Sequence, residues 1–386
     1  MMDHYDIIIC GAGPAGSLTA HGLARKRPDL RILLLDAESA PRHRPCGEYL
    51  SPGAVGILAR AGLEQAVLAS GAAPLPGTLL SGARGSITIT HGRVMGLQPD
   101  RPFGLGIRRE RLDRVLQDAA AQQVELLRGS RLLHFNRDGA QWKVRLSCPH
   151  GERDITACLL VGADGRQSVV RRRSGLDRPV RRKRFALVCR AHGFVHRSRV
   201  EMHLGPMGQI GVCPLGDGEV NLNLLLAGPT AALLRQRPLA SLMRAALAST
   251  PSLAGRVDAM RLSPVLATGS LPQRSRAVIA DGICLVGDAG GFCDPFSGEG
   301  MTLAMGGAEV LAEQLAEVDF HTRPSAAALA GYASAHAARV GRRHRLGGLL
   351  HHILDRRHLA DRCVAGLGIS RTLGHLFIAG AAAYRR

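Results

Sequence analysis

The sequence predicts an α/β protein in which a doubly wound, largely parallel sheet carries an inserted mixed β-sheet and is followed by a helical C-terminal region. Three observations lead there. A short apolar run at residues 5–10 (YDIIIC) ends in glycines and is followed by a helical stretch and a second apolar run, residues 31–35 (RILLL), that ends at Asp36. Residues 185–226 alternate or run apolar between Gly/Asp turns, the mark of antiparallel strands. At 277–286 (AVIADGICLV) a buried-strand pattern returns and opens into the glycine-rich GDAGG.

The elements follow in order. Residues 5–10, 15–26 and 31–35 form a βαβ unit. Residues 41–53 read as a loop leading into a helix at about 54–61. Residues 109–123 read as a helix with Leu112, Val115, Leu116 and Ala119 on one face. Strands are expected at 131–135, 142–147 and 155–162, helix at 230–255, one strand at 277–286, and helix from 331 to the end. The expected division is 1–75, 101–185 and 265–330 for a discontinuous nucleotide domain, 76–100 and 186–264 for a substrate domain, and 331–386 for the helical region.

Composition narrows the function. With 386 residues and 46% hydrophobic residues, a sizeable core is available. Aromatics at 3% argue against a stacking platform for single-stranded nucleic acid. The net charge of +19 rests on arginine, since Lys26, Lys143 and Lys183 are the only lysines. A GC-rich genome explains that balance as well as attraction of anionic partners does. No recognition motif accompanies the charge, so nucleic acid is not an expected partner. The nine cysteines include no C-x-x-C pair, which points away from zinc and dithiol sites and toward a reducing cytoplasm. The first strand begins so early that no signal peptide is expected, and no apolar run is long enough to span a bilayer.

Gly11, Gly13 and Gly16 spell G-A-G-P-A-G between the first strand and the first helix, with Ala15 inside the motif. The first glycine permits the tight turn, the second lets backbone approach a pyrophosphate, and the third lets helix and strand pack closely. The helix start offers free N–H groups to phosphate. Asp36 follows Gly16 by 20 residues at the end of the next strand, placed to accept from a ribose diol. This is a Rossmann-type dinucleotide fingerprint, and it does not separate FAD from NAD.

Two later segments decide between them by resemblance. Residues 161–165 (VGADG), with Ser168 and Arg171, resemble the Asp-Gly motif of flavoprotein monooxygenases. Residues 286–300 (VGDAGGFCDPFSGEG) resemble the Gly-Asp motif that holds the ribityl chain in that superfamily. Residues 109–113 (RERLD) resemble its Arg-x-x-Leu-Asp helix start. Within the superfamily the chain is most similar to the geranylgeranyl reductase family, through Cys46-Gly47-Glu48 and through 294–300 (DPFSGEG). Flavin halogenases share part of the pattern, but their Trp-x-Trp-x-Ile-Pro motif is missing and Trp142 is the only tryptophan. Aromatic hydroxylases usually carry a histidine two residues after Gly-Asp-Ala, where Gly291 and Phe292 stand here.

The resemblance implies a glutathione-reductase-like FAD domain. It implies an FAD set of Gly11, Gly13, Ala15, Gly16, Asp36, Arg42, Cys46, Gly47, Arg109, Asp164, Gly287, Asp288, Pro295, Gly298, Gly300 and Met301, with Cys46 and Pro295 as catalytic candidates. Asp288 would accept a ribityl hydroxyl, and Pro295 would sit near the isoalloxazine. The implied activity is FAD-dependent reduction of a carbon–carbon double bond in a hydrophobic prenyl or polyketide-like molecule, with NAD(P)H as donor. Hydroxylation of an aromatic or polyketide-like substrate with NAD(P)H and dioxygen is the alternative, and a flavin-binding membrane-associated sensor is the non-enzymatic one.

Three further features have two readings each. His351, His352 and His358 cluster without a carboxylate constellation that would make a metal site. Residues 171–173 (RRR) and 181–184 (RRKR) suit either NAD(P)H phosphates or a solvated face. Leu346, Leu349, Leu350, Ile353 and Leu354 form an amphipathic stripe among Arg342, Arg343, Arg345, Arg356 and Arg357, a theme that Leu373, Leu376, Phe377 and Gly380 extend. Such a helix either lies on the anionic inner face of a membrane or packs on the protein's own body and substrate tunnel.

Overall fold

The computed structural model of the chain describes residues 3–92, 100–180, 184–292, 298–341 and 356–369. β1 (Asp3–Cys10), α1 (Pro14–Lys26) and β2 (Ile32–Leu35) form the expected βαβ unit, with β2 parallel to β1. Ile7 and Ile9 pack with the helices, while Tyr5, Ile8 and Cys10 pack with Trp142 and Val144 on the other side. Burial on both faces is why β1 reads as a continuous apolar run.

The segment 41–51 crosses as loop into β3 (Tyr49–Leu50), then α2 (Pro52–Arg60), α3 (Glu64–Ala69) and β4 (Ala73–Leu75). β5 (Gly77–Gly82) and β6 (Gly85–Thr90) form a hairpin. β7 (Gly104–Gly106) pairs with both β3 and β4. α4 (Arg109–Ala121) leads to β8 (Glu125–Leu127), β9 (Arg131–Asp138), β10 (Gln141–Cys148) and β11 (Gly151–Gly162). On α4 the face differs from the apolar reading: Val115 is half-buried, whereas Asp113 and Gln117 are buried because they bond Arg109 and the Ala12 carbonyl.

α5 (Val169–Arg173) and β12 (Asp177–Arg178) precede β13 (Arg184–His192), β14 (Val200–Leu204), β15 (Gln209–Gly216) and β16 (Glu219–Ala227). The helix expected over 230–255 is two pieces, a 3-10 segment Gly228–Arg235 and α6 (Leu239–Ala248). Pro238, at the N-cap of α6, separates them, since proline cannot sit inside a helix without losing a bond.

β17 (Arg261–Leu262), β18 (Leu266–Gly269), β19 (Gln273–Ser275), β20 (Ile279–Ala280), β21 (Ile283–Leu285) and β22 (Gly291–Phe292) complete the strands. The single strand expected at 277–286 is instead the antiparallel hairpin β20–β21. It turns at Gly282, whose φ of 66° suits glycine and whose carbonyl accepts from Trp142 Nε1 at 2.8 Å. α7 (Gly300–Leu315), α8 (Ala330–His336) and α9 (Arg357–Ile369) are the last helices described. Residues 342–355 and 370–386, which carry the amphipathic stripe, lie outside the described residues, as do 181–183 and Pro295.

One eight-stranded sheet runs β20-β21-β11-β1-β2-β8, with β10 antiparallel to β11 and β9 antiparallel to β10. A second runs β17-β13-β16-β15-β14-β5-β6, with β18 on β13. It is mixed, because β14 and β5 are parallel and the rest antiparallel. β18 carries this sheet beyond residue 264. The first sheet's carboxyl ends and the inner face of the second enclose one cavity.

Candidate active site

The cavity has a volume of about 740 Å³ and reaches from the β1–α1 turn to the second sheet. At its first end the three glycines divide their work. A Cβ on Gly11, at φ 104°, would meet the Ala163 carbonyl oxygen at 2.5 Å, and one on Gly16 would meet the Gly11 oxygen at 1.9 Å. Both are packing glycines, and Gly16 does not line the cavity. Gly13 is different: a Cβ there would find only Arg109 Nη2, at 4.0 Å. That open space before the N-terminus of α1 is a cradle sized for a phosphate group.

Asp36 lines the same region and is already partly engaged. It accepts from Glu38 N at 2.9 Å and Gln117 Nε2 at 3.3 Å, and Arg44 stands 3.8 Å away. Burial raises its pKa, opposed by the Glu38 amide and Arg44. Arg42 is exposed at the cavity edge and paired with Glu38 at 2.8 Å.

The Asp-Gly and Gly-Asp segments meet through Arg171. This fully buried arginine donates to Asp177 at 2.8 Å, to the Ala289 carbonyl at 3.0 Å and to the Arg166 carbonyl at 2.5 Å. Asp164 lines the cavity, yet its Oδ2 is spent capping α5, accepting from Val169 N at 2.6 Å, while its buried Oδ1 has no hydrogen-bond partner among the described residues. Gly287 does not reach the cavity; at φ 61° it lets this turn sit on Ala15, where a Cβ would lie 2.8 Å from the alanine methyl. Asp288 does line the cavity, its pKa raised by burial against Arg166, Arg109 and Arg171. Burial in turn lowers the pKa of Arg166, and Asp288 opposes that. Gly298, Gly300 and Met301 line the opening of α7.

Cys46 and Gly47 line the cavity from the loop before β3. Cys46 Sγ accepts from Glu48 N at 3.3 Å. Burial pushes its thiol up, opposed by Arg109, so it is protonated at neutral pH. Arg109 is clamped by Asp113 at 2.9 and 3.0 Å, and its backbone N–H donates to Glu48 at 2.8 Å. Burial works against its charge, but Asp113 outweighs burial and raises its pKa.

Several residues of this site were not among the expected ones. Gln117 and Arg44 hold Asp36, Arg166 faces Asp288, and Tyr49 and His91 line the far end. Gln117 had a faint signal, a polar residue two turns after Arg109 on the buried side of α4. Arg166, Tyr49 and His91 had none, because their partners lie far along the chain, and Arg44 sits in a loop with no periodicity to read. Beyond Tyr49 the cavity is largely apolar, floored by Leu80, Ala186, Val188, Met202 and Leu225 from the inner face of the second sheet, with Thr78, Gln209 and Asn223 as its polar members.

The family model described as FAD binding domain matches residues 4–343. The chain belongs to this FAD-binding family. It is an FAD-dependent oxidoreductase, and the residues present fit the cofactor: the open space at Gly13 and the carboxylate residues Asp36, Asp164 and Asp288 all line the one cavity. The chain is 25% identical over 336 residues to digeranylgeranylglycerophospholipid reductase of Methanosarcina mazei, covering 81% of this chain and 75% of that one. It is 27% identical over 328 residues to menaquinone reductase of Mycobacterium tuberculosis, covering 81% and 77%. Among solved structures it resembles p-nitrophenol 4-monooxygenase of Pseudomonas putida, with TM-score 0.80, 18% identity and full coverage of both chains. It also resembles a geranylgeranyl bacteriochlorophyll reductase-like protein of Thermoplasma acidophilum, with TM-score 0.79 and 19% identity over 99% and 97% of the two chains. At these identities the solved structures show the fold. Among the described residues of this family member, no helix is long and apolar enough to cross a membrane.

Proposed function

We propose that the protein reduces a carbon–carbon double bond of a hydrophobic, prenyl-bearing substrate, using FAD and an NAD(P)H donor. The observation that carries this reading is the largely apolar chamber beyond the flavin-binding end, which would take a hydrocarbon chain. The reductases it resembles by sequence carry prenyl-lipid and quinone names, which points the same way.

In this reading the N–H groups of the Gly11–Gly16 turn bind the pyrophosphate, with Gly13 nearest it. Asp36 takes the ribose, with Arg42 at the cavity mouth. Arg109, Asp164 and Asp288 orient the rest of the cofactor, and Ala15, Gly16 and Gly287 pack the two turns that hold it. Cys46, Gly47, Gly298, Gly300 and Met301 border the ring. When bound and reduced, FAD supplies a hydride to the substrate. The protein's own residues exclude water and hold the double bond against the ring. We place the protein in the cytoplasm, with its arginine-rich C-terminal region touching the inner face of the membrane from which such a substrate would come. Nucleic acid is not a partner.

The test is anaerobic turnover with chemically reduced FAD and a polyprenyl quinone or polyprenyl lipid. A product two hydrogens heavier supports reduction. No anaerobic product, with one labelled oxygen gained from dioxygen in air, would replace this reading by hydroxylation. Sedimentation with anionic vesicles tests the membrane contact, and recovery wholly in the supernatant would remove it.

A further inference from the structure

Adding a hydride to one carbon of a double bond leaves the other carbon in need of a proton. The chamber is largely apolar, so the donor has to be built in. Tyr49 stands where one is needed. Its ring fits a slot between two glycines: a Cβ on Gly104 would lie 2.6 Å from Tyr49 Cε2, and one on Gly298 would lie 3.0 Å from Cδ1. Gly298 begins the turn into α7, the backbone that borders the flavin end of the cavity. Ser51 and Thr302 pin this strand to α7 through a 2.7 Å hydroxyl–hydroxyl bond. The ring is therefore held in one orientation relative to the cofactor site.

The Tyr49 hydroxyl lies 3.2 Å from His91 Nε2, and His91 in turn lies 3.5 Å from Thr78 Oγ1 on β5. His91 is 3% exposed, lines the cavity, and its Nδ1 is buried without a protein partner among the described residues. A buried imidazole nitrogen left unpaired inside a largely apolar chamber costs stability unless it serves a ligand or a proton path. Cys46, the other protonated group here, is turned toward Arg109 and the Glu48 amide, on the loop side of the site.

Resting on the double-bond reading above, we infer that the Tyr49 hydroxyl is the proton donor to the substrate carbon and that His91 positions and reprotonates it. The balance is simple. The double bond gains a hydride equivalent, whose source is reduced flavin recharged by a nicotinamide donor. The Tyr49 O–H bond breaks as the second C–H bond forms. The phenolate then recovers a proton from water through His91. Net, two electrons and two hydrogens enter the alkene.

The experiment uses the full-length FAD-loaded protein and its Tyr49→Phe and His91→Gln variants. Each is reduced anaerobically and mixed with a polyprenyl quinone or polyprenyl lipid, and flavin reoxidation is followed in one turnover. Tyr49→Phe should retain the flavin spectrum and FAD affinity, be reduced by NAD(P)H as the parent is, and reoxidise about 100-fold more slowly, the usual weight of a lost general acid. His91→Gln should fall in between. In the substrate-free protein carrying 13C-labelled tyrosine, His91→Gln should shift the Tyr49 Cζ resonance, a readout independent of turnover. Parent-like reoxidation in Tyr49→Phe, or an unmoved Cζ resonance in His91→Gln, overturns the assignment while leaving the double-bond reading intact. A parent enzyme inert to every alkene without oxygen overturns both together.

Discussion

Glu48 and Arg190, 142 residues apart in the chain, form a buried bidentate pair: Arg190 Nε donates to Glu48 Oε2 at 3.0 Å, and Nη2 donates to Oε1. Glu48 sits on the loop beside the cofactor site and holds a φ of 55°. Arg190 belongs to β13 in the second sheet. Asn221 of β16 and the Arg109 amide add two more bonds to Glu48, and Glu110 adds two to Arg190. The pair thus ties the flavin-side loop, the start of α4 and the substrate sheet into one unit.

Arg190→Met should leave Glu48 buried without its main counter-charge. Removing one member of such a pair costs about 3 kcal/mol. Urea unfolding monitored by circular dichroism should show the midpoint falling accordingly. An unchanged midpoint would mean that Asn221 and the Arg109 amide suffice to hold the carboxylate.

Gly13→Val and Gly16→Ala separate binding from packing. The side chain of Gly13→Val enters open cavity, so the fold should survive while FAD affinity is lost. Gly16→Ala drives a methyl into the Gly11 carbonyl and should destabilise the protein itself. Fluorescence titration with FAD beside thermal melts reads both. Normal FAD affinity in folded Gly13→Val would remove the pyrophosphate from this turn.

Asp288→Ala should weaken FAD by roughly 10- to 150-fold, the equivalent of one charge-assisted hydrogen bond of about 1.5–3 kcal/mol. Isothermal titration is the direct measurement. The same affinity as the parent would place the ribityl chain elsewhere.

His91 gives the protein an acid sensitivity. Burial lowers its pKa to about 4 from the usual 6.5. As pH falls through that interval the unfolded chain binds a proton that the native state does not, so stability declines, by roughly 3 kcal/mol across the full shift. Comparing urea midpoints at pH 7.5 and pH 4 should show a smaller decline in His91→Gln. An equal decline in both proteins would assign the acid sensitivity to other groups.

Truncation after Arg339 should lower the thermal midpoint by several degrees while leaving FAD bound. α9 packs Ala360 and Val364 on Leu80, Ile87 and Ile89, and Asp361 accepts from Ala83 N at 2.8 Å. Removing it uncovers an apolar face of β5 and β6. A midpoint equal to that of the parent would show that this packing contributes nothing to the fold.

By itself the sequence determined the parts governed by short-range rules. The βαβ unit, its three glycines and Asp36 were legible because tight turns, backbone approach and strand burial act within some thirty residues. The alternation of 185–226 likewise revealed a second sheet. The local reading missed where a single proline or glycine overrode the pattern, at Pro238 and Gly282. Only the tertiary structure decided that Gly16 and Gly287 pack rather than line the cavity, that Asp164 spends an oxygen on capping α5, and that Glu48 meets Arg190. It alone brought Tyr49 to His91, from the short strand β3 to the end of the β5–β6 hairpin. The physical reason is the range of the interactions. Periodicity and turn chemistry are written in neighbouring residues, whereas a buried ion pair or a hydroxyl–imidazole contact depends on how two separately built sheets are docked.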